Sequence, residues 1–319
     1  MDFDRRLFVS GHRGLLGRAV VEELRRAGYR NILTVSREEL DLTSQGATED
    51  FLKSTRPDAV IHCAALVGGI HANSSRPAEF LRDNVMIQTN VIHGSHLADV
   101  NTLVFFGSNC MYPVAAPQPM PEETLLQGPI EPSNLAYGAA KIAGMVQCQS
   151  YFKQYGRNYF TVIPASLYGP HDNFDLQSCH VTPGLLLRFH QAKTRGDPEF
   201  TVWGTGRPRR ELLYVDDAAA GVRLLLERWE AAKGPVNLGA GEDISVREIA
   251  ETIQKVVGYK GKLIFDTSKP DGNPRKLLDS ARARALGFHP EMNLEEGLRR
   301  TYDWMLSGAA IRGVHAREM

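Results

Sequence analysis

A glycine-rich turn near the N-terminus constrains this chain most strongly. The turn reads Gly11-His12-Arg13-Gly14-Leu15-Leu16-Gly17 and directly follows the short apolar run Arg6–Ser10. Glycines in such a turn allow a tight bend and let backbone amides approach a pyrophosphate, whose charge then lies at a helix N-terminus. The spacing G-x-x-G-x-x-G at a strand–helix junction therefore predicts a dinucleotide-binding turn, with a glycine-rich turn that binds no ligand as the alternative.

The first half of the chain alternates short apolar runs with longer amphipathic stretches. Strands separated by helices need crossover connections, so this alternation predicts a parallel sheet. We therefore predict an α/β fold, a doubly wound, Rossmann-like parallel sheet with helices on both faces. The predicted strands are Arg6–Ser10, Ile32–Ser36, Asp58–Ala65, Leu103–Ser108 and Phe160–Ala165. The predicted helices are Leu15–Ala27, Ser44–Arg56, Ala78–Asp99 and Ala136–Tyr155.

After Gly169 the alternation ends, which predicts a second and smaller lobe of mixed α/β structure. Residues 1–168 are predicted to form the dinucleotide-binding domain, with a return to it at about 212–240. Residues 169–211 and 241–319 are predicted to form the C-terminal substrate lobe. The elements predicted there are helices at Val181–Lys193, from Val246 and at Leu294–Leu306, and β-like segments at Phe200–Trp203, Glu211–Val215 and Lys262–Asp266.

Composition excludes several classes of protein. Lysine plus arginine and aspartate plus glutamate both number 37 in 319 residues, so no net charge attracts the chain to nucleic acid or to an anionic membrane. No apolar run approaches the roughly 18 residues of a membrane span. The cysteines lie far apart without a CxxC motif, so we expect no disulfide framework, no metal site and a cytoplasmic protein. The cysteines are Cys63, Cys110, Cys148 and Cys179.

The residues after the second predicted strand indicate which dinucleotide is bound. An NAD site usually places Asp or Glu there to bind the ribose 2′-hydroxyl. This strand, Ile32–Ser36, is instead followed by Arg37, and Arg13 lies within the glycine turn. Two guanidinium groups suit a 2′-phosphate, so we predict NADP(H). Because Glu38 and Glu39 follow directly, a solvated charged turn is the alternative interpretation.

A tyrosine and a lysine four residues apart are candidates for acid–base chemistry. Tyr137 and Lys141 lie on one face of a predicted helix, where the ammonium lowers the pKa of the phenol. Ser108 ends the fourth predicted strand, at the edge of the sheet where ligands bind. Together with the glycine turn, this set resembles the extended short-chain dehydrogenase/reductase family.

Further motifs narrow the resemblance to the GDP-L-fucose synthase family. That family is a branch of cytoplasmic, homodimeric enzymes that use NADPH. The resemblance implies 3,5-epimerisation and 4-reduction of GDP-4-keto-6-deoxy-D-mannose to GDP-L-fucose, with the GDP-sugar bound by the C-terminal lobe. The motifs are Gly11-His12-Arg13-Gly14, Leu66-Val67-Gly68-Gly69-Ile70, Gly107-Ser108-Asn109-Cys110-Met111-Tyr112-Pro113, Tyr168-Gly169-Pro170-His171-Asp172-Asn173-Phe174, Val202-Trp203-Gly204-Thr205-Gly206, Arg209-Arg210-Glu211 and Lys269-Pro270-Asp271-Gly272.

The resemblance also implies roles for particular residues. Cys110 matches the epimerisation base and His180 the acid. In the reduction, the family uses Tyr137 as proton donor with Ser108 and Lys141 beside it. The implied GDP contacts are Arg188, Trp203, Arg210 and Asp271. The implied cofactor contacts are Gly11, His12, Arg13, Gly14, Leu15, Leu16, Gly17, Arg37, Asp41, Phe106, Gly107, Ser108, Asn109, Lys141, Pro164, Ala165, Ser166, Leu167 and His180.

Three alternatives stay open at this point. Family members commonly carry Thr-Asn where this chain has Ala165 and Ser166, so a related GDP-4-keto-deoxysugar, a heptose or another hexose, is a second candidate substrate. A 4-epimerase or a plain 4-ketoreductase would need no second acid–base pair such as Cys110 and His180. A catalytically silent NADP-binding sensor would be expected to lack a member of the Ser, Tyr and Lys set.

Overall fold

The computed structural model describes residues 2–228, 234–269 and 271–308. The strands are β1 (Arg6–Ser10), β2 (Asn31–Leu33), β3 (Ala59–His62), β4 (Thr102–Phe106), β5 (Asn158–Pro164), β6 (Ser166–Tyr168), β7 (Glu199–Trp203), β8 (Arg209–Arg210), β9 (Leu212–Tyr214), β10 (Val236–Leu238), β11 (Ile244–Ser245), β12 (Lys262–Asp266) and β13 (Arg275–Lys276). The helices are α1 (Leu15–Arg26), α2 (Gln45–Thr55), α3 (Ile70–Ser75), α4 (Pro77–Leu97), α5 (Leu135–Tyr155), α6 (Val181–Arg195), α7 (Val215–Glu227), α8 (Val246–Val257), α9 (Ala281–Ala285) and α10 (Leu294–Leu306).

A six-stranded parallel sheet in the order β10-β5-β4-β3-β1-β2 forms the centre of the fold. The chain moves outward from β1 to β2, then returns to the other side of β1 and continues through β3, β4 and β5. This reversal is the doubly wound topology, so the predicted fold class is confirmed. Ligands of such sheets bind at the carboxyl ends of the strands, beside the reversal.

Three of the five strands predicted in the first half end at least two residues earlier than expected. The second ends at Leu33 instead of Ser36, because Ser36 bonds to the turn that follows: its carbonyl accepts from the Leu40 amide at 2.9 Å. The third ends at His62 instead of Ala65. There the chain leaves the ladder and passes directly beneath Gly11. The fourth ends at Phe106 instead of Ser108, because Ser108 caps the short 3-10 helix that follows. The sixth strand, β10, was missed, because three residues are too few to show a pattern.

Residues on each central strand alternate between two cores, one on each face of the sheet. Phe8, Val60 and Phe105 point to the face covered by α2, α4 and α5. Leu7, Ile61 and Val104 are among the residues of the other core. A separate cluster packs α6, α8 and α10 around β7 and β12, and it forms the core of the C-terminal part. Within the described ranges, no helix combines the length and the apolar character needed to cross a membrane.

The contact between α5 and β4 positions much of the site described below. Gly144 of α5 lies directly over the Phe105 ring, and a Cβ atom built on this glycine would overlap that ring. A helix with a larger residue at this position would have to move away from the sheet. The absence of a side chain at residue 144 therefore lets α5 lie close to the strand ends.

We predict that Gly144→Ala lowers the free energy of unfolding by about 1–3 kcal/mol, because the added methyl group overpacks the core against Phe105. Gly46→Ala in α2 is the matched control, since nothing lies within 4 Å of its Cβ position. It should leave stability unchanged or raise it by about 0.5–1 kcal/mol. Urea unfolding of both variants measures the difference, and equal shifts would contradict the packing argument.

Candidate active site

The glycine turn forms an open cradle at the start of α1. Gly11 has φ +69°, and its Cβ would lie 2.7 Å from the Ala64 amide nitrogen. A Cβ on Gly17 would overlap the Gly11 carbonyl oxygen. Gly14 is the N-cap of α1, whose first turn has neither a side-chain cap nor an acidic residue. The free amides and the positive end of the helix dipole can therefore receive an anionic group.

The two arginines predicted to bind a 2′-phosphate lie near this cradle, beyond the end of β2. The Arg13 guanidinium lies 3.0 Å from a Glu38 carboxylate oxygen, and both side chains are largely exposed. Arg37 is exposed as well. The Asp41 carboxylate accepts a bond from the Thr43 amide at 3.0 Å, and that bond, with Arg37 a minor cause, lowers the pKa of Asp41. Asp41 thus holds the turn before α2.

Ser108 and Tyr137 meet beyond the carboxyl end of β4. Ser108 precedes a short 3-10 helix, Asn109–Met111, and its hydroxyl accepts a bond from the Cys110 amide at 3.2 Å. The sequence predicts that Lys141 lowers the pKa of the Tyr137 phenol, but burial raises that pKa instead. Cys110 adds to the shift, and the Ser108 side chain opposes it. A phenol with a raised pKa keeps its proton at neutral pH, which is the state a proton donor requires.

Lys141 lies one turn beyond Tyr137, and its side chain is buried with 3% exposure. Its ammonium nitrogen is 4.8 Å from the centroid of the Phe105 ring and 5.9 Å from that of the Tyr137 ring. Burial lowers the pKa of Lys141 to about 8, while Cys63 and Cys148 weakly oppose the shift. No carboxylate forms an ion pair with this lysine in the part of the chain that the structure describes.

Cys110 and His180 lie on different elements, the loop after β4 and the start of α6. Cys110 is half-buried in the loop after β4, and its carbonyl packs on Gly138, the residue after Tyr137. His180 is the N-cap of α6. The residue is exposed to solvent, yet desolvation by the surrounding protein lowers the pKa of its imidazole. This combination is typical of a residue in the wall of a cleft. No hydrogen bond joins Cys110 to His180 among the described residues.

A chain of contacts connects the His180 loop to Tyr137. The Tyr137 and Phe80 rings pack edge to face with centroids 6.4 Å apart. The Phe80 ring and the Ser178 carbonyl both lie against Gly68, and the Gly69 amide donates to that same carbonyl at 2.9 Å. The loop around Gly68 therefore forms a wall of the site that links the His180 loop to Phe80 and Tyr137.

The segment from Pro164 to Leu167 lies between the main sheet and the C-terminal part. The Ala165 amide donates to the Leu238 carbonyl at 2.9 Å, and the Ser166 amide donates to the Glu211 carbonyl at 3.3 Å. The segment is thereby held on one side by β10 and on the other by the residue that precedes β9.

Arg188 and Trp203 form a cationic and aromatic surface on the C-terminal part. The Arg188 guanidinium lies 4.9 Å from the Phe200 ring centroid and 6.0 Å from the Trp203 ring centroid, and it donates to the Thr201 carbonyl at 2.8 Å. The Trp203 side chain is 67% exposed. An exposed indole next to a guanidinium offers a flat surface for a purine base.

Arg210 and Asp271 lie close to Trp203. Both oxygens of the Asp271 carboxylate accept bonds from Thr205, from its amide at 2.8 Å and from its hydroxyl at 2.6 Å. The Arg210 guanidinium donates to the Asn273 carbonyl at 2.6 Å and is half-buried. Asp271 therefore holds the turn after Trp203 against the segment that also receives Arg210.

Sequence reasoning missed Asn84, which holds the wall near Tyr137. Asn84 is buried in α4, and its amide group accepts from the Leu66 amide and donates to the Leu66 carbonyl, each at 2.9 Å. It donates as well to the Phe80 carbonyl at 2.7 Å. The only signal in the sequence is a polar residue on the buried face of a helix. Across the described ranges, no group of three or more His, Cys, Asp or Glu side chains could hold a metal ion.

Comparisons with known proteins agree with this geometry. The profile of the NAD dependent epimerase/dehydratase family matches residues 7–239. The GDP-L-fucose synthase of Escherichia coli (strain K12) is 49% identical over 310 residues, which cover 95% of this chain and 97% of that protein. A GDP-6-OMe-4-keto-L-xylo-heptose reductase from C. jejuni superposes with a TM-score of 0.91 at 35% identity, covering 96% of this chain and 99% of that one. A GDP-L-fucose synthetase from Naegleria fowleri bound to NADP has a TM-score of 0.87 at 31% identity. The match covers 97% of this chain and 94% of that one.

We predict that Lys141→Met stabilises the protein. The buried ammonium has a pKa near 8 in the folded state, against an ordinary value near 10.4, so keeping it charged costs stability at pH 7. Methionine should raise the free energy of unfolding at that pH by about 2–4 kcal/mol. Between pH 8 and pH 10 the unfolded wild type binds the extra proton, so its stability rises and the difference narrows. Urea unfolding of both proteins at pH 7 and at pH 10 tests this prediction. A variant less stable than wild type at pH 7 would contradict it.

Proposed function

The chain belongs to the NAD dependent epimerase/dehydratase family, within its GDP-L-fucose synthase branch, and from this premise we propose how its residues perform that branch's reaction. The reaction is the 3,5-epimerisation and NADPH-dependent 4-reduction of GDP-4-keto-6-deoxy-D-mannose to GDP-L-fucose. One observation carries the proposal: the Ser108 hydroxyl accepts from the Cys110 amide, and the Cys110 carbonyl packs on Gly138, the residue after Tyr137. The thiol of the epimerisation and the phenol of the reduction therefore border one carbonyl-binding region.

Epimerisation needs a base and an acid on opposite faces of the sugar ring. The ketone at carbon 4 acidifies the hydrogens at carbons 3 and 5, and Cys110 removes one of them. His180 returns a proton from the opposite face of the ring. The lowered pKa of His180 makes its protonated form a stronger acid.

Reduction uses the buried phenol as proton donor. Bound NADPH supplies the hydride to carbon 4. Tyr137 gives its proton to the developing alkoxide, and the Ser108 hydroxyl donates a hydrogen bond to the same oxygen. The Lys141 charge, held over Phe105 without a carboxylate partner, stabilises the tyrosinate that remains.

The cofactor is NADP(H), and the cradle at the start of α1 fits its pyrophosphate. Gly11, Gly14 and Gly17 add no side chains of their own to the turn, and the first turn of α1 carries no competing acid. We assign the 2′-phosphate to Arg13 and Arg37. The ion pair of Arg13 with Glu38 is exposed and therefore weak, so a phosphate can replace it.

The GDP moiety is assigned to the cationic and aromatic surface of the C-terminal part. Trp203 stacks on the guanine, while Arg188 and Arg210 face the diphosphate. Asp271 holds the turn after Trp203 against the segment that receives Arg210. We retain the division into residues 1–168 with 212–240 for the cofactor and 169–211 with 241–319 for the GDP-sugar. Residues 1, 229–233, 270 and 309–319 lie outside the described residues.

A second candidate substrate is a GDP-4-keto-deoxyheptose. Its support is the structural similarity to the C. jejuni heptose reductase, together with the small side chains of Ala165 and Ser166 at the segment between the two parts of the site. Those side chains leave more space than the Thr-Asn pair common in the family, and a heptose carries one carbon more than a hexose.

We further propose a homodimer that joins through α4 and α5, located in the cytoplasm. Apolar side chains on the outer surfaces of these helices are exposed, among them Met86 and Val146. Val146 also lines an open groove of about 670 Å³ between α5 and the Gly128–Ile130 segment. Pairing these surfaces about a two-fold axis would bury them.

The cytoplasmic location is supported by four free cysteines.

The dimer proposal predicts that Val146→Glu gives a monomer, because the charge would be buried without a partner at the interface. Leu306→Glu is the control, since Leu306 is also exposed and apolar but lies at the end of α10. Analytical ultracentrifugation reports both. A wild-type monomer, or a Val146→Glu dimer as stable as that of Leu306→Glu, would contradict the proposed interface.

The proposed roles predict opposite effects in two variants. Tyr137→Phe should lower the reduction rate by about 10²–10⁴-fold while deuterium from solvent still enters carbons 3 and 5. Cys110→Ser should slow that deuterium entry strongly. Nuclear magnetic resonance of the product formed from the GDP-4-keto sugar and NADPH reports ring configuration, deuterium content and reduction together. If neither variant changes either step, the assigned roles are wrong. If the protein forms product from the GDP-4-keto-deoxyheptose but not from GDP-4-keto-6-deoxy-D-mannose, the second substrate is favoured.

A further inference from the structure

Glu211 is a buried carboxylate that the proposed chemistry does not use. Its side chain is 2% exposed. One oxygen, Oε1, accepts from the Gly241 amide at 2.8 Å, and the other, Oε2, accepts from the Leu278 amide at 2.9 Å. Each oxygen thus holds a different segment of the backbone, and no salt bridge to Glu211 is present among the described residues.

The main chain of Glu211 lies between the two proposed ligand sites. Its carbonyl accepts from the Ser166 amide at 3.3 Å, in the segment assigned to the cofactor. Its own amide donates to the Lys276 carbonyl at 3.2 Å. The preceding residue is Arg210, whose guanidinium is held by the Asn273 carbonyl and is assigned to the GDP diphosphate. Any shift of Glu211 would move both sites.

We propose that Glu211 is a positioning residue that couples the two ligand sites, so that binding of NADP(H) strengthens binding of the GDP moiety. The inference rests on the proposed function. Binding of the cofactor orders the segment containing Ser166, and the carboxylate fixes the strand junction that joins this segment to Arg210. GDP then binds to a site that is already ordered.

The ionisation of Glu211 gives the coupling a dependence on pH. Burial raises the pKa of this carboxyl to about 7, against the two backbone amide bonds, which lower it. The charged groups facing it are Arg284 of α9, which favours ionisation, and Asp243 before β11, which opposes it. The ionised form accepts both amides. In the protonated form the oxygen that carries the proton is a weaker acceptor, which weakens its amide bond, so coupling should decrease as the pH falls below about 7.

The chain offers a matched control for a buried glutamate. Glu122 is 6% exposed, its Oε1 accepts from the Asn237 amide at 2.8 Å, and burial raises its pKa. Among the described residues, no hydrogen bond joins the Glu122 side chain to the segment of Ser166 or to that of Arg210. Glu122→Gln therefore tests what the loss of a buried carboxylate does by itself.

Calorimetric titration of the full-length protein with GDP, with and without saturating NADP⁺, measures the coupling without turnover. In wild type at pH 8 we expect NADP⁺ to strengthen GDP binding by about tenfold, and less at pH 6. In Glu211→Gln the effect should fall below about twofold at both pH values. Glu122→Gln should keep the wild-type effect. Glu211→Asp keeps the charge but withdraws it by one methylene group, so we expect an intermediate effect; it also replaces the Gln variant if that protein does not fold.

Two results separate this inference from the function on which it rests. Wild type that binds NADP⁺ but not GDP would overturn the proposed function and the inference together. Wild type with GDP binding that NADP⁺ does not change, or coupling that survives in the Glu211 variants, would overturn the inference alone. Loss of coupling in Glu122→Gln would likewise overturn it, because the effect would then follow from any buried carboxylate in this region.

Discussion

The close packing of α5 on the carboxyl-terminal end of β4 is the contact on which the active site depends. Gly144 leaves room for the Phe105 ring, so the helix axis approaches the sheet and carries its preceding turns over the strand ends. Lys141 and Tyr137 lie three and seven residues before this glycine, on the same side of the helix. The separation of phenol and ammonium from Ser108 is therefore set by backbone packing.

That packing also determines the charges of the site. Burial favours the neutral forms of both Tyr137 and Lys141, which raises the pKa of the first and lowers that of the second. A neutral phenol is a suitable proton donor, whereas a neutral lysine would no longer stabilise the tyrosinate. The aromatic face of Phe105 favours the charged ammonium without placing a carboxylate there, which would compete for the phenol proton. The site thus holds a cation near its reacting oxygen at a cost in folding stability.

Sequence patterns predicted the local parts of this structure well. The sheet, its doubly wound order and the glycine turn follow from periodicity and from one short motif, because each depends on residues close together in the chain. Patterns assigned no role to Asn84 or to Glu211, although Glu211 belongs to one of the motifs. The loop backbone groups that both side chains hold lie in other segments of the chain. The relation of Cys110 to His180 is of the same kind, because it depends on how loops pack, here through Gly68 and Phe80.

The residues that sequence missed have one physical property in common. Asn84 and Glu211 are buried polar side chains whose bonds go to backbone groups of loops, each joining segments far apart in the chain. Such groups cost desolvation energy and contribute little net stability, but a loop that satisfies them has few alternative conformations. A reaction that moves protons on both faces of one sugar ring requires walls of defined position. Loops between strands supply those walls only when buried polar side chains hold them in place.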